Sequence, residues 1–345
     1  MNWLNRDRMR LVLIGFVAGI VFGGSGRAKA EIIMGEPTNV GPVINDSGNV
    51  QECDFSADGL ELYFASGGIR VATRETTESD WIERGPVIMS GVDPAISTNG
   101  LELYFDKWGD WYLRVATRPS KDDPWGNPVK VGPPVGLYDA YTADISADGL
   151  SLYFASYERP GGYGSDDLWV ATRDTIEDEW GEPVNLGPNV NSSGSDLCPS
   201  ISSDGLTLVF NRGPFGGIWA TTRKSIDDDW EPVVKLNISG PGYFYGPALS
   251  PDGSTIYFDA SAAWGGYGDD DIWQVTLTPI VDFNGDGIVD AADMCIMVDH
   301  WGTDDPLCDI GPMPWGDGIV DVQDLIVLAE HLFEEVPPVE VEPTE

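Results

Sequence analysis

The sequence predicts an all-β fold, a five-bladed β-propeller, and three observations support that prediction. A turn motif, Ser-x-Asp/Asn-Gly, followed by an alternating apolar strand, occurs five times between residues 31 and 280. The fifth unit ends without an outer strand. A segment that matches this missing strand lies instead near the N-terminus, where it can close the ring.

The five copies of the motif define the repeat. They are spaced 41 to 56 residues apart, which suits a four-stranded propeller blade of about 40–50 residues. In each unit a short apolar strand precedes an Asp-Gly or Asn-Gly turn of the kind that joins hairpins. Alternating strands follow, and the last of them comes after a Trp and a Pro. The copies are SADGLELYF (56–64), STNGLELYF (97–105), SADGLSLYF (146–154), SSDGLTLVF (202–210) and SPDGSTIYF (250–258).

The closing strand is predicted from a second internal match. EPTNVGPVIND at 36–46 is identical to EPVNLGPNVNS at 182–192 at six of eleven positions. The fifth unit stops after IWQVTL, before any such segment. The N-terminal segment is therefore expected to supply the outer strand of the last blade, which removes a free sheet edge.

Residues 1–30 are predicted to be a cleaved secretory signal. Arg6, Arg8 and Arg10 precede a twelve-residue apolar run, and Ala28-Lys29-Ala30 provides a small-x-small cleavage site after Ala30. The run is shorter than the roughly 20 residues that span a bilayer, although an uncleaved anchor is the alternative. We therefore expect a protein that is secreted or held at the cell surface, with no membrane span in the mature chain.

The charge excludes polyanionic partners. The whole chain carries 57 acidic and 19 basic residues, for a net charge of −38. Nucleic acid and anionic membrane surfaces are poor partners for such a chain. Of the four cysteines, Cys295 and Cys308 are close in sequence, so that a bridge between them is a reasonable expectation in an exported protein. The sequence leaves open whether Cys53 and Cys198 pair.

The repeats, over residues 36–280, resemble the WD-repeat-like propeller repeat of the TolB type, through their S-x-D-G-x-x-L-Y-F core. The resemblance implies a propeller fold and no particular activity. TolB itself has six blades rather than five, so its partners are not carried over.

Residues 282–293, DFNGDGIVDAAD, predict a calcium loop. An EF-hand-type loop places oxygen ligands at positions 1, 3, 5, 7, 9 and 12 and a glycine at position 6. Gly287 takes position 6, and a solvated acidic loop is the alternative. The six ligands of this first Ca²⁺ site would be Asp282, Asn284, Asp286, the Ile288 carbonyl, Asp290 and Asp293.

A second copy follows at 316–333, where Gly318 again takes position 6. Met313 and Trp315 fall at positions 1 and 3 without a gap, and neither supplies a carboxylate. Asp309 could reach the site through a longer loop. The second Ca²⁺ site would then contain Asp309, Asp317, the Ile319 carbonyl, Asp321 and Asp324.

The two loops, each leading into a helix, resemble a type I dockerin over residues 282–333. The resemblance implies that a module of residues 281–335 binds two Ca²⁺ ions and a cohesin or cohesin-like partner. Ala291-Ala292 and Val322-Gln323 occupy the positions that help to choose the partner. They lack the hydroxyl pair typical of cellulosomal dockerins. Residues 336–345 are predicted to form a disordered acidic tail.

The propeller contains no nucleophilic site built on histidine, because both histidines, His300 and His331, lie in the C-terminal module. Paired carboxylates, as used by glycosidases, are the remaining catalytic option. Asp54, Asp93 and Asp144 are the candidates, because the first strands of the blades are expected to line a central channel. Asp54 and Asp144 could alternatively bond neighbouring blades. Other groups expected near the channel are Glu52, Asp196, Tyr141 and Tyr245.

Two functions are consistent with the sequence. The first is a binding or scaffolding propeller in an extracellular, polysaccharide-degrading assembly, with a glycan at the channel mouth. The second is a carbohydrate-active enzyme, a glycosyl hydrolase or lyase that uses channel carboxylates. Both rest on the association of dockerins with polysaccharide breakdown.

Overall fold

The structure is a computed structural model that describes residues 32–45, 48–213, 217–240, 243–261, 264–305 and 307–336. The predicted export signal and all but the first residue of the predicted acidic tail lie outside these ranges. Within the described residues, no helix is long and apolar enough to cross a membrane.

Five antiparallel sheets form the propeller, as predicted. Blade one is β3 (Gln51–Phe55), β4 (Glu61–Ala65), β5 (Ile69–Thr73) and β6 (Ile82–Ile88). Blade two is β7 (Val92–Ile96), β8 (Glu102–Lys107), β9 (Asp110–Thr117) and β10 (Val129–Lys130). Blade three is β11 (Tyr141–Ile145), β12 (Ser151–Tyr157), β13 (Asp166–Thr172) and β14 (Val184–Asn185). Blade four is β15 (Asp196–Ile201), β16 (Thr207–Arg212), β17 (Ile218–Thr222) and β18 (Val234–Lys235), and blade five contains β19 (Phe244–Leu249), β20 (Thr255–Ser261) and β21 (Asp270–Pro279).

The first strands of the blades surround a central channel. β3, β7, β11, β15 and β19 each contact the first strand of the next blade, and β19 contacts β3 to complete the ring. The antiparallel order gives the disc two faces. We call the face that carries the hairpins between second and third strands, and the connections from one blade to the next, the hairpin face. The face that carries the Ser-x-Asp/Asn-Gly turns is the turn face.

The N-terminal segment closes the ring. β2 (Thr38–Asn39) pairs with the middle of β21 in the place of a fourth strand. β1 (Ile32–Met34) pairs with the C-terminal end of β21. Asn45, which is fully buried, donates to the Ile272 carbonyl and accepts from the Ile272 N–H, at 2.8 Å each. Asn191 makes the same two bonds to Leu168 in blade three. The match between residues 36–46 and 182–192 is therefore also a match in structural role.

The recurring tryptophans pack the blades. In four blades an arginine after the third strand stacks on the tryptophan that precedes the outer strand, and its Nε donates to the carbonyl of a turn-face residue. Such cation–π contacts contribute roughly 0.5–2 kcal/mol each. The pairs are Arg74–Trp81 (4.3 Å), Arg118–Trp125 (4.4 Å), Arg173–Trp180 (4.3 Å) and Arg223–Trp230 (4.4 Å).

The core lies between adjacent blades. The second leucine of the motif and the aromatic residues that follow it are almost fully buried, for example Leu62, Tyr63 and Phe64 in β4. Burial of each such side chain stabilises the fold by roughly 1.5–3 kcal/mol.

After β21 the chain forms a small helical unit. α1 (Ala291–Asp299) and α2 (Val322–Glu330) pack around a core of their own that includes Val289, Met297 and Leu328. α1 follows the first acidic loop, where the sequence predicts a helix. In α2, Leu328 lies in the core, whereas Ile326 faces outward and is 55% exposed.

The helical unit packs on the turn face of blades four and five. Trp315, 2% exposed, and Met313 join the apolar core of these blades. The backbone of Met313 approaches Gly253 in the turn of blade five so closely that a Cβ there would lie 2.4 Å from its carbonyl oxygen. The helical unit is thus connected to the propeller by the short linker after β21 and also by a direct apolar contact.

The structure shows no disulfide at the expected place. Cys295 and Cys308 are both free thiols, as are Cys53 and Cys198. Cys295 is exposed on α1, whereas Cys308 is buried in the core of the helical unit. The expected Cys295–Cys308 bridge was wrong because the two side chains face different environments despite their short separation in sequence.

We predict that replacement of Asn45 by Ala destabilises the propeller by roughly 1–3 kcal/mol, because it leaves the buried N–H and C=O of Ile272 without their hydrogen-bond partners. Asn191→Ala is the matched variant in blade three, whose four strands all come from one continuous stretch of chain. Urea unfolding should show similar losses for both variants. Hydrogen exchange of residues 32–39 should accelerate only in Asn45→Ala, and equal protection in the two variants would contradict the assigned closing role.

Candidate functional site

A ring of five residues lines the channel near the hairpin face. Each first strand contains a β-bulge, and at each bulge one residue has a positive φ. This conformation is costly for residues other than glycine, yet four of the five have side chains. The ring residues are Glu52 (φ 32°), Asp93 (φ 50°), Thr142 (φ 46°), Cys198 (φ 51°) and Gly246 (φ 53°).

Second-strand side chains hold three of the ring amides. The residue after the motif phenylalanine or its equivalent accepts the ring N–H of the next blade. Asn211 Oδ1 accepts from Gly246 N at 2.7 Å. Asp106 Oδ2 accepts from Thr142 N, and Asp259 Oδ1 accepts from Glu52 N, at 3.4 Å each. A buried amide therefore finds its acceptor on the neighbouring blade.

In the other two blades that second-strand position is alanine, and the ring residue itself provides the acceptor. Thr142 Oγ1 accepts from Cys198 N at 3.1 Å. The Glu52 carboxylate faces the Asp93 N–H, an interaction that lowers the pKa of Glu52 against the larger effect of burial. Four of the ring amides thus donate to a side chain of the preceding blade, and the fifth, that of Asp93, faces the Glu52 carboxylate.

The predicted carboxylates Asp54 and Asp144 hold blades together one step further along the same strands. Asp54 Oδ2 accepts from Ile96 N, and Asp144 Oδ2 accepts from Ile201 N, at 2.7 Å each. Both acceptors reach into the next blade, which is the structural alternative that the sequence left open. Asp93, the third catalytic candidate, belongs to the ring instead.

The other groups expected near the channel have structural partners. Asp196 is fully buried and forms an ion pair with Arg212 at 2.6 Å. Tyr141 is 6% exposed and donates to Asp166. Tyr245, at the start of the bulge in β19, is half-buried.

Four carboxyl groups meet behind and within the ring. Burial, followed by the charges of Asp259 and Asp106, raises the pKa of Glu52 well above its usual value. Burial, followed by Glu52 and Asp106, does the same for Asp93. Burial raises the pKa of Asp106 to about 6 and that of Asp259 to about 7. The carboxyls in this ring cluster, Glu52, Asp93, Asp106 and Asp259, therefore resist simultaneous ionisation.

Asp106 and Asp259 were not predicted from the sequence. The signal was present as variation at one repeat position, the residue after the second-strand aromatic. That position is Ala65, Asp106, Ala155, Asn211 and Asp259 in the five blades. Without the channel geometry, an acid at this position is indistinguishable from the many solvated acids of the chain.

The exposed aromatic residues of the propeller all lie on the hairpin face. They occupy the hairpins between second and third strands, adjacent strand ends and the connections between blades. Among the described residues, the turn face of the propeller exposes no large aromatic side chain. The eight residues, the aromatic face, are Trp108, Trp111, Tyr112, Tyr138, Tyr157, Tyr163, Tyr243 and Tyr267.

A cleft on this face lies between blades one and two. It has a volume of about 340 Å³ and is lined by Trp108 and Met89 together with the polar side chains of Asn49, Gln51 and Lys107. Trp108 is 68% exposed. Two hairpins on the same face are braced by buried acids. The backbone amides of Tyr163 and Tyr267 donate to Asp167 and Asp271.

The two acidic loops of the helical unit share one hydrogen-bond pattern. In the first loop (282–293), Asp282 accepts from the Gly287 N–H. In the second loop (309–324), Asp309 accepts from the corresponding Gly318 N–H. Asp309 therefore occupies the place of Asp282, which is the position that the longer second loop was expected to give it.

The helix-capping acids of the two loops also correspond. Asp290 and Asp293 form a capping box on α1, and Asp321 and Asp324 form one on α2. The position-5 acids, Asp286 and Asp317, accept from the N–H of Ile288 and Ile319. In the first loop, Asn284 accepts from the Asp286 N–H and donates to its carboxylate.

The donor chemistry of both loops suits a hard cation, because every candidate ligand is an oxygen. In the second loop, burial and then Asp324 raise the pKa of Asp309 to about 6. Nowhere in the described chain, however, are three or more His, Cys, Asp or Glu side chains gathered closely enough to hold a metal ion. The loop carboxylates instead accept hydrogen bonds from the loop amides.

Known structures with similar folds are distant. TolB from Acinetobacter baumannii has a TM-score of 0.41 at 12% identity, covering 67% of this chain and 55% of that chain. A putative TolB from Agrobacterium tumefaciens has a TM-score of 0.42 at 17% identity, covering 74% and 100%. XC5397, a gluconolactonase from Xanthomonas campestris, has a TM-score of 0.41 at 12% identity, covering 72% and 89%. No family profile and no curated protein matches the sequence.

We predict that the double variant Asp106→Asn/Asp259→Asn is more stable than the parent at pH 8. An acid whose pKa is raised on folding leaves the native state intact below about pH 4 and destabilises it as the pH rises through the folded pKa. The folded values here are about 6 and about 7. Asparagine keeps the acceptor oxygen, as Asn211 shows.

Unfolding at pH 4 and pH 8 checks this prediction. The gain at pH 8 should be on the order of 2 kcal/mol, since one pKa unit corresponds to about 1.4 kcal/mol, and it should vanish at pH 4. A variant that loses stability equally at both pH values would show that ionisation of Asp106 and Asp259 does not destabilise the fold.

Proposed function

We propose that this is an exported binding protein whose propeller holds a glycan on the aromatic face and whose helical unit is a calcium-binding, dockerin-like attachment module. The observation that carries the proposal is the polarity of the molecule. Eight exposed aromatic side chains lie on the hairpin face, while Met313 and Trp315 fix the helical unit to the turn face. Ligand and attachment partner would therefore approach from opposite sides.

The aromatic face suits carbohydrate because a pyranose ring presents an apolar face to stack on a Trp or Tyr ring and hydroxyls to neighbouring polar groups. The cleft beside Trp108 combines such a ring with amide side chains and Lys107. Large exposed apolar groups gathered on one face are characteristic of binding surfaces.

Binding is favoured over hydrolysis by what the channel carboxylates do. A glycosidase needs two carboxyl groups that are free to act on opposite sides of a glycosidic bond. Asp54 and Asp144 are instead bonded to the amides of neighbouring blades. Asp93 lies in the ring beside Glu52, whose carboxylate faces its N–H.

The attachment role of the helical unit is supported by its own surface. Its outward side chains include Val298, Trp301, Val322, Ile326 and Phe333, all more than 45% exposed. A unit of this size that keeps a separate core and displays such residues is equipped to bury them against another protein. By the resemblance of its loops, that protein would be a cohesin or cohesin-like domain.

The glycan proposal predicts that Trp108→Ala weakens polysaccharide binding by roughly five- to thirtyfold. Loss of one stacking platform removes about 1–2 kcal/mol of contact energy. Residues 31–345 would be tested on a panel of neutral, acidic and amino-containing polysaccharides by affinity electrophoresis with Ca²⁺ present. Ile226→Ala on the turn face, where the side chain is 63% exposed, is the control and should bind normally.

Two results would change the proposal. Release of new reducing ends that disappears in Asp93→Asn would establish an enzyme. Equal retention of Trp108→Ala and the parent on every polysaccharide would remove the aromatic face from glycan binding.

The calcium proposal predicts two bound ions in the parent and one in either Asp282→Ala or Asp309→Ala. Each substitution removes the acid at position 1 of its loop, and the two acids make equivalent contacts with Gly287 and Gly318. Isothermal titration of chelator-treated protein gives the stoichiometry. Calcium should also raise the melting temperature of the helical unit, since an ion that binds only the folded state stabilises it.

Asp299→Ala, an acid at the end of α1 and outside both loops, is the control and should still bind two ions. If Asp309→Ala retains two ions while Asp282→Ala loses one, Asp309 does not belong to the second site.

A further inference from the structure

The cleft between blades one and two differs in charge from the chain as a whole. The chain carries 57 acidic against 19 basic residues, yet none of the residues that line the cleft is acidic and one of them, Lys107, is a cation. The lining comes from the start of blade one, the β4–β5 hairpin, the connection to blade two and the β8–β9 hairpin. A cationic cleft in an acidic chain favours a ligand that carries negative charge.

The ammonium group of Lys107 has no partner within the described chain. Lys107 is exposed and forms no ion pair or side-chain hydrogen bond there. Its cross-strand neighbour is an acid, Asp110, but that carboxylate is already occupied. Arg114 donates to its Oδ2, and Lys130 Nζ lies 3.4 Å from its Oδ1. This end of blade two therefore has three cations around one paired acid, and Lys107 is left over.

The acids adjacent in sequence to the lining offset Lys107 only weakly. Burial raises the pKa of Asp106 to about 6, and burial followed by the charge of Glu52 raises the pKa of Asp93 well above its usual value. Both therefore carry less negative charge than exposed acids do. Among the described residues, Asp270 is the one acid whose carboxylate bonds a side chain of the lining, since it accepts from Gln51 Nε2 at 2.8 Å.

The corresponding hairpins of two other blades carry the opposite charge. Arg159, the cation of the blade three hairpin, is 7% exposed and donates to the Ser156 hydroxyl and the Val135 carbonyl. Accessible positive charge is therefore found at the hairpin of blade two and not at those of blades three and five. The acids at those two hairpins are Glu158, Asp166 and Asp167 in blade three, and Asp269, Asp270 and Asp271 in blade five.

The cleft places this cation beside an aromatic ring. Lys107 and Trp108 are consecutive and both line the cleft, so that one ligand can reach both side chains. The amide side chains of Asn49 and Gln51 line it too and supply groups that bond hydroxyls. The volume of about 340 Å³ is at the small end of the range for ligand pockets, about 300–1,000 Å³. It suits one sugar residue rather than a long stretch of glycan.

We propose that the cleft binds an acidic sugar residue, whose anionic group, a carboxylate or a sulfate ester, pairs with Lys107 while its pyranose ring stacks on Trp108. The inference rests on the glycan-binding function proposed above and names the class of sugar. The net charge of −38 opposes a polyanion, whereas a single acidic residue in the cleft responds mainly to charges within about 8 Å at physiological salt. The ligand is therefore a largely neutral glycan that carries isolated acidic residues.

The test uses small probes that do not depend on the glycan backbone. Methyl glycosides of glucose, galactose and mannose, each beside its uronic acid, are titrated into residues 31–345 and followed by NMR. Methyl galactoside 6-sulfate separates a sulfate from a carboxylate. The decisive variant is Lys107→Met, which removes the charge and keeps an apolar stem, and Lys107→Arg keeps the charge. Lys224→Met, which removes an exposed lysine of the turn face, is the control.

We expect at least one acidic glycoside to bind the parent roughly three- to tenfold more tightly than its neutral counterpart, as for a charge-assisted hydrogen bond in a partly open site. Lys107→Met should lose this preference and still bind the neutral glycoside, whereas Lys107→Arg and Lys224→Met should keep it. Added salt should reduce the preference of the parent. A Lys107-dependent preference for only the uronic acids or only the sulfate identifies the anionic group. Thermal melting confirms that the variants are folded.

Other outcomes overturn the inference in distinguishable ways. Equal binding of acidic and neutral glycosides would remove the anion site and leave the glycan-binding face intact. A preference that survives in Lys107→Met would place the selecting cation elsewhere. If no glycoside binds, and Lys107→Met binds the acidic members of the polysaccharide panel as the parent does, the inference fails while the proposed function stands. Absence of binding to every glycoside and every polysaccharide would overturn both.

Discussion

The structure depends on one constraint, that each first strand turns a backbone amide toward the neighbouring blade at its bulge. A buried N–H without an acceptor costs roughly 1–3 kcal/mol, and five such amides surround one channel. The chain meets the constraint in two ways. Asp106, Asn211 and Asp259 reach across from second strands, while Glu52 and Thr142 reach across from the ring. Polar residues therefore had to be placed at the centre of the propeller, where an apolar core would otherwise be expected.

The repeat was visible in the sequence because turns and packing recur with fixed spacing. The five Ser-x-Asp/Asn-Gly turns and the closing segment are local patterns, and each was found where predicted. Asn45 shows why the closure could be foreseen, since it copies the role of Asn191 within a matching segment. The channel could not be foreseen to the same degree. Asp106 and Asp259 are 153 residues apart in sequence, and only ring closure brings both beside Glu52.

The catalytic candidates show a related limit of prediction from sequence. Asp54, Asp93 and Asp144 were correctly placed on channel-lining strands, but strand position does not say what an acid contacts. The strand register decides which groups the acid contacts. Residues two apart on one strand, such as Glu52 and Asp54, face the same side of an ideal strand, yet the bulge between them separates their roles. Glu52 enters the ring cluster, whereas Asp54 bonds to Ile96 of the next blade.

The second acidic loop connects the two parts of the molecule. It is longer than the first by the segment around Met313 and Trp315, and that segment packs into blades four and five. The sequence presented these residues only as a defect in a calcium loop, because two apolar side chains stood where ligands were expected. In the structure Asp309 supplies the position-1 contact instead, which frees the intervening residues for contact with the propeller. The extra residues of the second loop therefore orient the helical unit against the turn face of the propeller. This orientation leaves the aromatic face unobstructed.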